Sequence, residues 1–184
     1  MQSFRLSPVR LPAAALLVAG LLGFAPGLLA DAAPVSPAAE KTEPALPVLR
    51  AAPAWSLVDL DGKPLGSDVL KGKVVVVDFW ATWCAPCVKE ISDFVELQKK
   101  YADRGLVIAG LSLDSKGEEA VRPFAQRMKI NYPLAIATPE VVSAFGDIEG
   151  IPTSFLIDRE GKIRHYKLGL MEAADYEKLV VSLL

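Results

Sequence analysis

Ligands for a metal ion are scarce in this chain of 184 residues, which contains one histidine and two cysteines. No second CxxC, CxxH or HxxxH accompanies its single CxxC. The two cysteines could supply two ligands of a zinc site, but the other two ligands would be missing. Basic residues are not in excess, because 20 Lys and Arg stand against 22 Asp and Glu. Nucleic-acid binding requires a basic face. We therefore expect no metal, no cofactor and no nucleic acid partner.

Both cysteines lie in the pentapeptide WCAPC of residues 83–87, between a buried-strand pattern and an amphipathic helical pattern. Two thiols separated by two residues can close a small disulfide, and a helix N-terminus stabilises a thiolate on the first of them. The thiolate is the form that attacks disulfides. A structural staple is the alternative, but so short a loop would contribute only about 2 kcal/mol. The motif therefore predicts redox chemistry.

The first thirty residues have the pattern of an export signal. Arg5 and Arg10 supply positive charge, and residues 11–29 are nearly all Leu, Ala, Val and Gly. A small-x-small cleavage site, Ala-Asp-Ala, occupies residues 30–32. We predict a cleaved signal peptide over residues 1–32. If it is not cleaved, the apolar stretch is long enough to anchor the chain in a membrane.

The next segment, residues 33–53, is rich in Ala and Pro and offers little that could pack into a core. This composition predicts a semi-extended linker, with a solvated mature N-terminus as the alternative interpretation. Residues 54–184 have the size of one domain with a single core. The predicted organisation is therefore a signal peptide or anchor, a linker and one globular domain.

Hydrophobic periodicity predicts that strands and helices alternate within this domain. Continuous apolar runs at 73–80 and 106–113 are typical of strands covered on both faces, and residues 158–161 form a hairpin turn. Further strands are predicted at 55–60, 134–137, 153–158 and 162–168, and helices at 86–104, 118–128, 140–145 and 172–184. The order predicts an α/β fold with a central mixed β-sheet flanked by helices.

The run VVVVDFWATWCAPC of residues 74–87 resembles the active-site strand and helix start of thioredoxin-fold proteins. With residues 150–153 and the hairpin 155–162, the resemblance covers residues 50–184. The export signal, the lead-in at 70–73 and the insert around 115–145 are most similar to the exported TlpA/ResA-like thiol-disulfide oxidoreductases of bacteria. The resemblance implies a thioredoxin-like fold with an N-terminal extension, an insert before the cis-proline loop, and a periplasmic location.

The resemblance assigns roles to both cysteines. Cys84 matches the exposed nucleophile and Cys87 the resolving cysteine, and the two form the redox-active disulfide. Cys84 would attack a client disulfide to give a mixed disulfide, which Cys87 would then resolve.

Asp78 lies six residues before Cys84, inside a valine-rich strand. A carboxylate there is costly unless it is neutral or hydrogen-bonded, and desolvation should raise its pKa. Its position matches the buried acid of thioredoxin, whereas the TlpA/ResA branch often has Asn. The match implies a catalytic proton acceptor for Cys87. An Asp satisfied structurally near the strand end is the alternative.

Three further residues are expected to contact substrate. Trp83 would form an apolar wall beside the cysteines, and Ile151-Pro152 resembles the cis-proline loop, whose backbone would pair with a substrate segment. Glu90 lies three residues after Cys87, and favourable charge in the first helical turn explains it without catalysis.

These features favour an exported reductant that keeps client thiols reduced. Clients implied by the resemblance are apocytochrome c before haem attachment and proteins of copper-centre assembly. Because the chain has no third cysteine, we expect an external electron donor, a membrane thiol-disulfide transporter. A disulfide-forming oxidase and a copper chaperone that uses the CxxC thiols are the alternatives. A peroxiredoxin would need the loop Pro-x-x-x-Thr-x-x-Cys, which is missing.

Overall fold

The computed structural model describes residues 46–184. The predicted signal peptide and most of the predicted linker therefore lie outside the described residues. None of the helices within 46–184 combines the length and the apolar character that a membrane crossing requires.

Eight strands and four α-helices make up the described chain. In chain order they are β1 Arg50–Ala51, β2 Ser56–Val58, β3 Pro64–Gly66, β4 Val74–Trp80, α1 Ala85–Tyr101, β5 Leu106–Ser112, α2 Glu118–Met128, β6 Leu134–Ile136, α3 Pro139–Phe145, β7 Thr153–Ile157, β8 Lys162–Leu168 and α4 Ala173–Val181. A 3-10 turn, Ala102–Arg104, continues α1, and Gly105 ends it with φ of 96° in the left-handed region.

The main sheet has six strands in the order β1-β8-β7-β4-β5-β6. Strand β4 runs parallel to β5 and antiparallel to β7, so the sheet is mixed. Strands β2 and β3 form a separate two-stranded sheet. The predicted α/β class with a central mixed sheet is confirmed.

The predicted elements are all present, with ends that differ by a few residues. The strand predicted at 55–60 is reduced to β2, and the helix predicted at 172–184 is shortened to α4. Strand β1 falls inside the predicted linker 33–53, where it pairs with the start of β8. The main sheet therefore reaches into the segment that composition alone assigns to a linker.

Strand β4 is buried on both faces and separates two apolar clusters. Val76 and Trp80 point to the cluster that contains the buried faces of α1, α2 and α4. Val77 and Phe79 point to the opposite cluster, which includes residues of α3, β2 and β3. The alternation follows from the period of two along a strand. Asp78 lies between Val76 and Trp80 in this alternation and therefore points toward α1.

Gly110 of β5 lies directly opposite Asp78. A Cβ atom at Gly110 would lie 2.5 Å from Cδ2 of Leu134, 3.0 Å from Nε1 of Trp80 and 3.3 Å from Cε2 of Tyr132. The side chains of Leu134, Trp80 and Tyr132 thus leave room only for a glycine at position 110, opposite Asp78.

We predict that Gly110→Ala lowers the free energy of unfolding by about 2 kcal/mol, because the added methyl group overpacks this region. Urea unfolding of the oxidised protein measures the change. Gly150→Ala is the matched control, since its Cβ meets only a Leu168 methyl at 3.3 Å. Equal stability of Gly110→Ala and wild type would show that the neighbours move aside at no cost.

Candidate active site

The junction of β4 and α1 places the first cysteine at a helix N-terminus. Cys84 is the N-cap residue of α1, and its Sγ accepts a hydrogen bond from the backbone N–H of Cys87 at 3.3 Å. Pro86 occupies the first turn, where the missing amide costs no helical hydrogen bond. A thiolate on Cys84 would receive both this hydrogen bond and the positive end of the helix dipole.

The two cysteines form a disulfide whose Cα atoms are 5.3 Å apart. Cys84 is 6% exposed and Cys87 is 1% exposed. Cys84 is thus more accessible than Cys87, although much less exposed in this oxidised state than its expected role as an exposed nucleophile implies. Sγ of Cys84 lies 3.7 Å from the carbonyl oxygen of Ile151, and the Ile151-Pro152 peptide bond is cis. The predicted loop therefore faces the disulfide.

Two exposed apolar side chains belong to the segments next to the disulfide and its facing loop. Trp83 is 69% exposed, which rules out a role in the core and leaves its indole free to contact a partner. Leu168 is also exposed and lies beside the loop, since its Cδ1 would be 3.3 Å from a Cβ at Gly150. Sequence reasoning missed Leu168, because only the fold brings the end of β8 next to the proline loop.

A second feature that sequence reasoning missed holds the segment before Cys84. The carboxylate of Asp114, just beyond β5, accepts hydrogen bonds from the Thr82 backbone N–H at 2.9 Å and the Thr82 hydroxyl at 2.6 Å. It also accepts one from the Ser112 hydroxyl at 2.8 Å. This buried carboxylate fixes the backbone two residues before the nucleophile.

Asp78 is 1% exposed and points toward α1 from the middle of the sheet. Its burial raises its pKa well above the ordinary value, and the nearby carboxyl of Glu90 raises it further. Its Oδ1 atom has no hydrogen-bond partner among residues 46–184. The expected direction of the pKa shift is confirmed, whereas the role of Asp78 as proton acceptor stays a prediction.

The interpretation of Glu90 as a favourable charge in the first helical turn is wrong. Helix α1 begins at Ala85 and has no acid in its first turn, and Glu90 is 2% exposed. Burial, followed by the charge of Asp93, raises the pKa of Glu90 to about 7, against the lowering effects of the Met171 backbone and Lys167.

Glu90 lies three residues after Cys87, so the two side chains are neighbours on one face of α1. Together, Asp78 and Glu90 are two buried carboxyl groups that lie close enough to influence each other. A group with a pKa near 7 suits proton transfer at neutral pH. This site can therefore supply both a stabilised thiolate and a base.

No cluster of three His, Cys, Asp or Glu that could hold a metal ion occurs within residues 46–184.

The sequence and the fold resemble known proteins. A family model described as the AhpC/TSA family matches residues 48–166. The thiol-disulfide oxidoreductase ResA of Bacillus cereus is 39% identical over 112 residues, which are 61% of this chain and 64% of that protein. ResA of Geobacillus thermodenitrificans is 33% identical over 145 residues, which are 78% of this chain and 81% of that protein.

Among solved structures, a thiol:disulfide interchange protein of the thioredoxin family from Chlorobium tepidum has a TM-score of 0.68 and 40% identity. The match covers 73% of this chain and 95% of that chain. The predicted thioredoxin-like fold is thereby confirmed, as is the resemblance to ResA. The Bacillus cereus relative is matched over somewhat less than two thirds of its own length.

We predict that Asp114→Ala lowers the free energy of unfolding by about 2–3 kcal/mol, because it leaves the Thr82 and Ser112 donors without their acceptor. Urea unfolding tests this. The control is Asp103→Ala, which removes an exposed carboxylate. A loss below about 0.5 kcal/mol, typical of surface substitutions, would contradict a structural role for the carboxylate.

A second prediction concerns the pH dependence of stability. Because the pKa of Glu90 rises from 4.5 to about 7 on folding, its stabilising effect is complete below pH 4.5 and is lost as the pH rises through 7. Glu90 thereby contributes about 3 kcal/mol to the loss in wild type, beside the contribution of Asp78, and Glu90→Gln should remove the Glu90 contribution.

Urea unfolding of the oxidised protein at pH 4.5 and pH 8 measures the difference. Glu96→Gln, an exposed acid on the same helix, is the matched control and should behave as wild type. If Glu90→Gln loses as much stability as wild type over this pH range, the buried carboxyl does not titrate as described.

Proposed function

Since the chain belongs to the AhpC/TSA family and its relatives are named thiol-disulfide oxidoreductases, we propose that it reduces disulfides of client proteins through Cys84 and Cys87. The observation that carries this proposal is the position of Cys84 at the N-cap of α1, the helix whose buried face carries Cys87 and Glu90. The site thus combines a nucleophile, a resolving thiol and a proton acceptor.

The reaction has two exchange steps. The Cys84 thiolate attacks a client disulfide, forms an S–S bond with one client sulfur and releases the other as a thiolate. Cys87 then gives its proton to the carboxyl pair and attacks Sγ of Cys84. The bond between Cys84 and the client breaks, and the client sulfur leaves with the electron pair. The client gains two electrons, and the Cys84–Cys87 pair is oxidised to the disulfide.

One feature of the sequence supports reduction rather than oxidation, and two features of the site serve the exchange itself. The sequence between the cysteines is Ala-Pro, without the histidine found in strongly oxidising relatives. A base with a pKa near 7 beside Cys87 can accept the proton of the resolving thiol, whichever way the exchange runs. The exposed Trp83 and the cis loop at Ile151-Pro152 lie next to Cys84, where a client segment would bind.

The location and partners complete the proposal. The export signal over residues 1–32 would deliver the protein to the periplasm, or tether it to the membrane if the segment is not cleaved. In that oxidising compartment the pair needs electrons from outside, for which a membrane thiol-disulfide donor is suited. Apocytochrome c and proteins of copper-centre assembly are the proposed clients. The first needs reduced cysteines to attach haem, and the second need them to bind copper.

We predict that Cys84→Ser abolishes reduction of a protein disulfide, whereas Cys87→Ser retains clients as mixed disulfides. The reason is that only Cys84 can attack first, while only Cys87 can release the client. Purification of each variant from the periplasm under acid-quenched conditions, followed by non-reducing electrophoresis, distinguishes the two.

The double variant Cys84→Ser/Cys87→Ser is the control for contacts that do not involve a sulfur bond. The proposal would be contradicted if Cys87→Ser recovered no more disulfide-linked protein than this control. Trapping through Cys84→Ser instead would reverse the roles of the two cysteines.

A further inference from the structure

A row of residues in direct register crosses the sheet beneath the disulfide. Lys167 of β8 pairs with Ser154 of β7, Ser154 pairs with Asp78 of β4, and Asp78 pairs with Gly110 of β5. Side chains of directly paired residues point to the same face of a sheet. Ser154 and Lys167 therefore share the face of Asp78, which is covered by α1 and α4.

This face is polar at its centre, although it is buried. Asp78, Glu90, Ser154 and Tyr176 are each at most 2% exposed. Among residues 46–184, hydrogen-bond partners of standard geometry are lacking for Oδ1 of Asp78, both carboxyl oxygens of Glu90, the hydroxyl of Tyr176 and Nε1 of Trp80, although the Met171 backbone lies close enough to lower the pKa of Glu90. Burying unpaired polar groups costs free energy. A cluster of several such groups therefore needs an explanation other than packing.

The buried groups lie close enough to influence one another. Burial raises the pKa of Tyr176, and the charges of Glu90 and Asp78 raise it further, against a lowering by the Ser154 hydroxyl. The hydroxyls of Tyr176 and Ser154 therefore lie near each other, without forming a hydrogen bond of standard geometry. Hydroxyl groups can both donate and accept, so they can pass a proton between carboxyl groups.

The row reaches solvent at Lys167, which is half-buried at the end of β8. Its ammonium lowers the pKa of Glu90 and, after burial, also that of His165 on the same strand. His165 is itself half-buried. The charged and titratable groups that face Glu90 are Asp93 on α1, Asp78 on β4, Lys167 on β8, Tyr176 on α4 and Tyr132 before β6.

We propose that Lys167 is a positioning residue for the thiol-disulfide reaction, and that it keeps the Asp78–Glu90 pair able to take the proton of Cys87 and release it to solvent. The inference rests on the proposed function. Among these groups Lys167 is the one cation, and it lies where the polar row meets the surface. The positive charge of Lys167 favours the form in which the Asp78–Glu90 pair carries one negative charge. Without a nearby cation, burial would favour the fully protonated pair.

The proton balance of the resolving step is then complete. As Sγ of Cys87 bonds to Sγ of Cys84, the proton of Cys87 passes to the Asp78–Glu90 pair, and the client thiolate leaves with the electrons of its broken bond. The pair returns the proton to water beside Lys167. Reduction of the disulfide by the electron donor brings a proton back along the same row.

The test uses the full chain and 5,5′-dithiobis(2-nitrobenzoate). The reduced protein releases one thionitrobenzoate when Cys84 attacks the reagent and a second when Cys87 resolves the adduct, so stopped-flow absorbance isolates the resolving step. We expect Lys167→Gln to slow the second release about threefold at pH 6 and to have a smaller effect at pH 9, which lies above the pKa of about 7 of Glu90.

Two further variants separate charge from structure. Lys167→Arg keeps the charge and should restore the wild-type profile, and Lys162→Gln, which removes an exposed lysine of the same strand, should leave the profile unchanged. A second readout is independent of activity: in the oxidised protein, the carboxyl carbon of Glu90 observed by NMR should titrate at higher pH in Lys167→Gln than in wild type.

The outcomes distinguish this inference from the proposed function. If wild type never releases the second thionitrobenzoate, the proposed exchange mechanism fails. If wild type releases it but Lys167→Gln has the same pH profile and the same Glu90 titration, the exchange mechanism stands and the role of Lys167 is overturned.

Discussion

The hydrogen bond from the Cys87 N–H to Sγ of Cys84 is the interaction on which the site depends. It exists because β4 ends and α1 begins within four residues, so that a sulfur takes the place of the usual N-cap oxygen. The same geometry turns Cys87 inward, one helical turn from the buried Glu90. The buried carboxyls lower stability as the pH rises, and in return they hold a proton acceptor where the inner thiol must lose its proton.

Much of this arrangement could be predicted from sequence, because the responsible signals are local. Helix α2 has the predicted bounds, and the strands of the terminal hairpin end within one residue of the prediction. The valine-rich run before the cysteines predicts the bounds of β4 to within one residue, because strands buried on both faces have a continuous apolar sequence. Asp78 stood out for the same reason, as the one charge in that run.

The features that sequence reasoning missed depend on long-range contacts or, for Glu90, on the helical periodicity of α1. Strand β1 has two residues, and its partner in β8 lies more than a hundred residues away. Asp114 acquires its role only when the ends of β4 and β5 come together. The burial of Glu90 could have been predicted, because Cys87, Glu90 and Phe94 follow the helical period of the buried stripe of α1, but an acid also suits the first turn of a helix.

The reduction potential of the Cys84–Cys87 pair, equilibrated in the full chain against glutathione or dithiothreitol buffers at pH 7, tests the central claim most directly. A reductant of client disulfides requires a potential near that of thioredoxin, roughly −270 mV. A potential near about −120 mV, typical of a strong oxidant, would contradict the account, because the pair would then donate its disulfide to clients instead of reducing theirs.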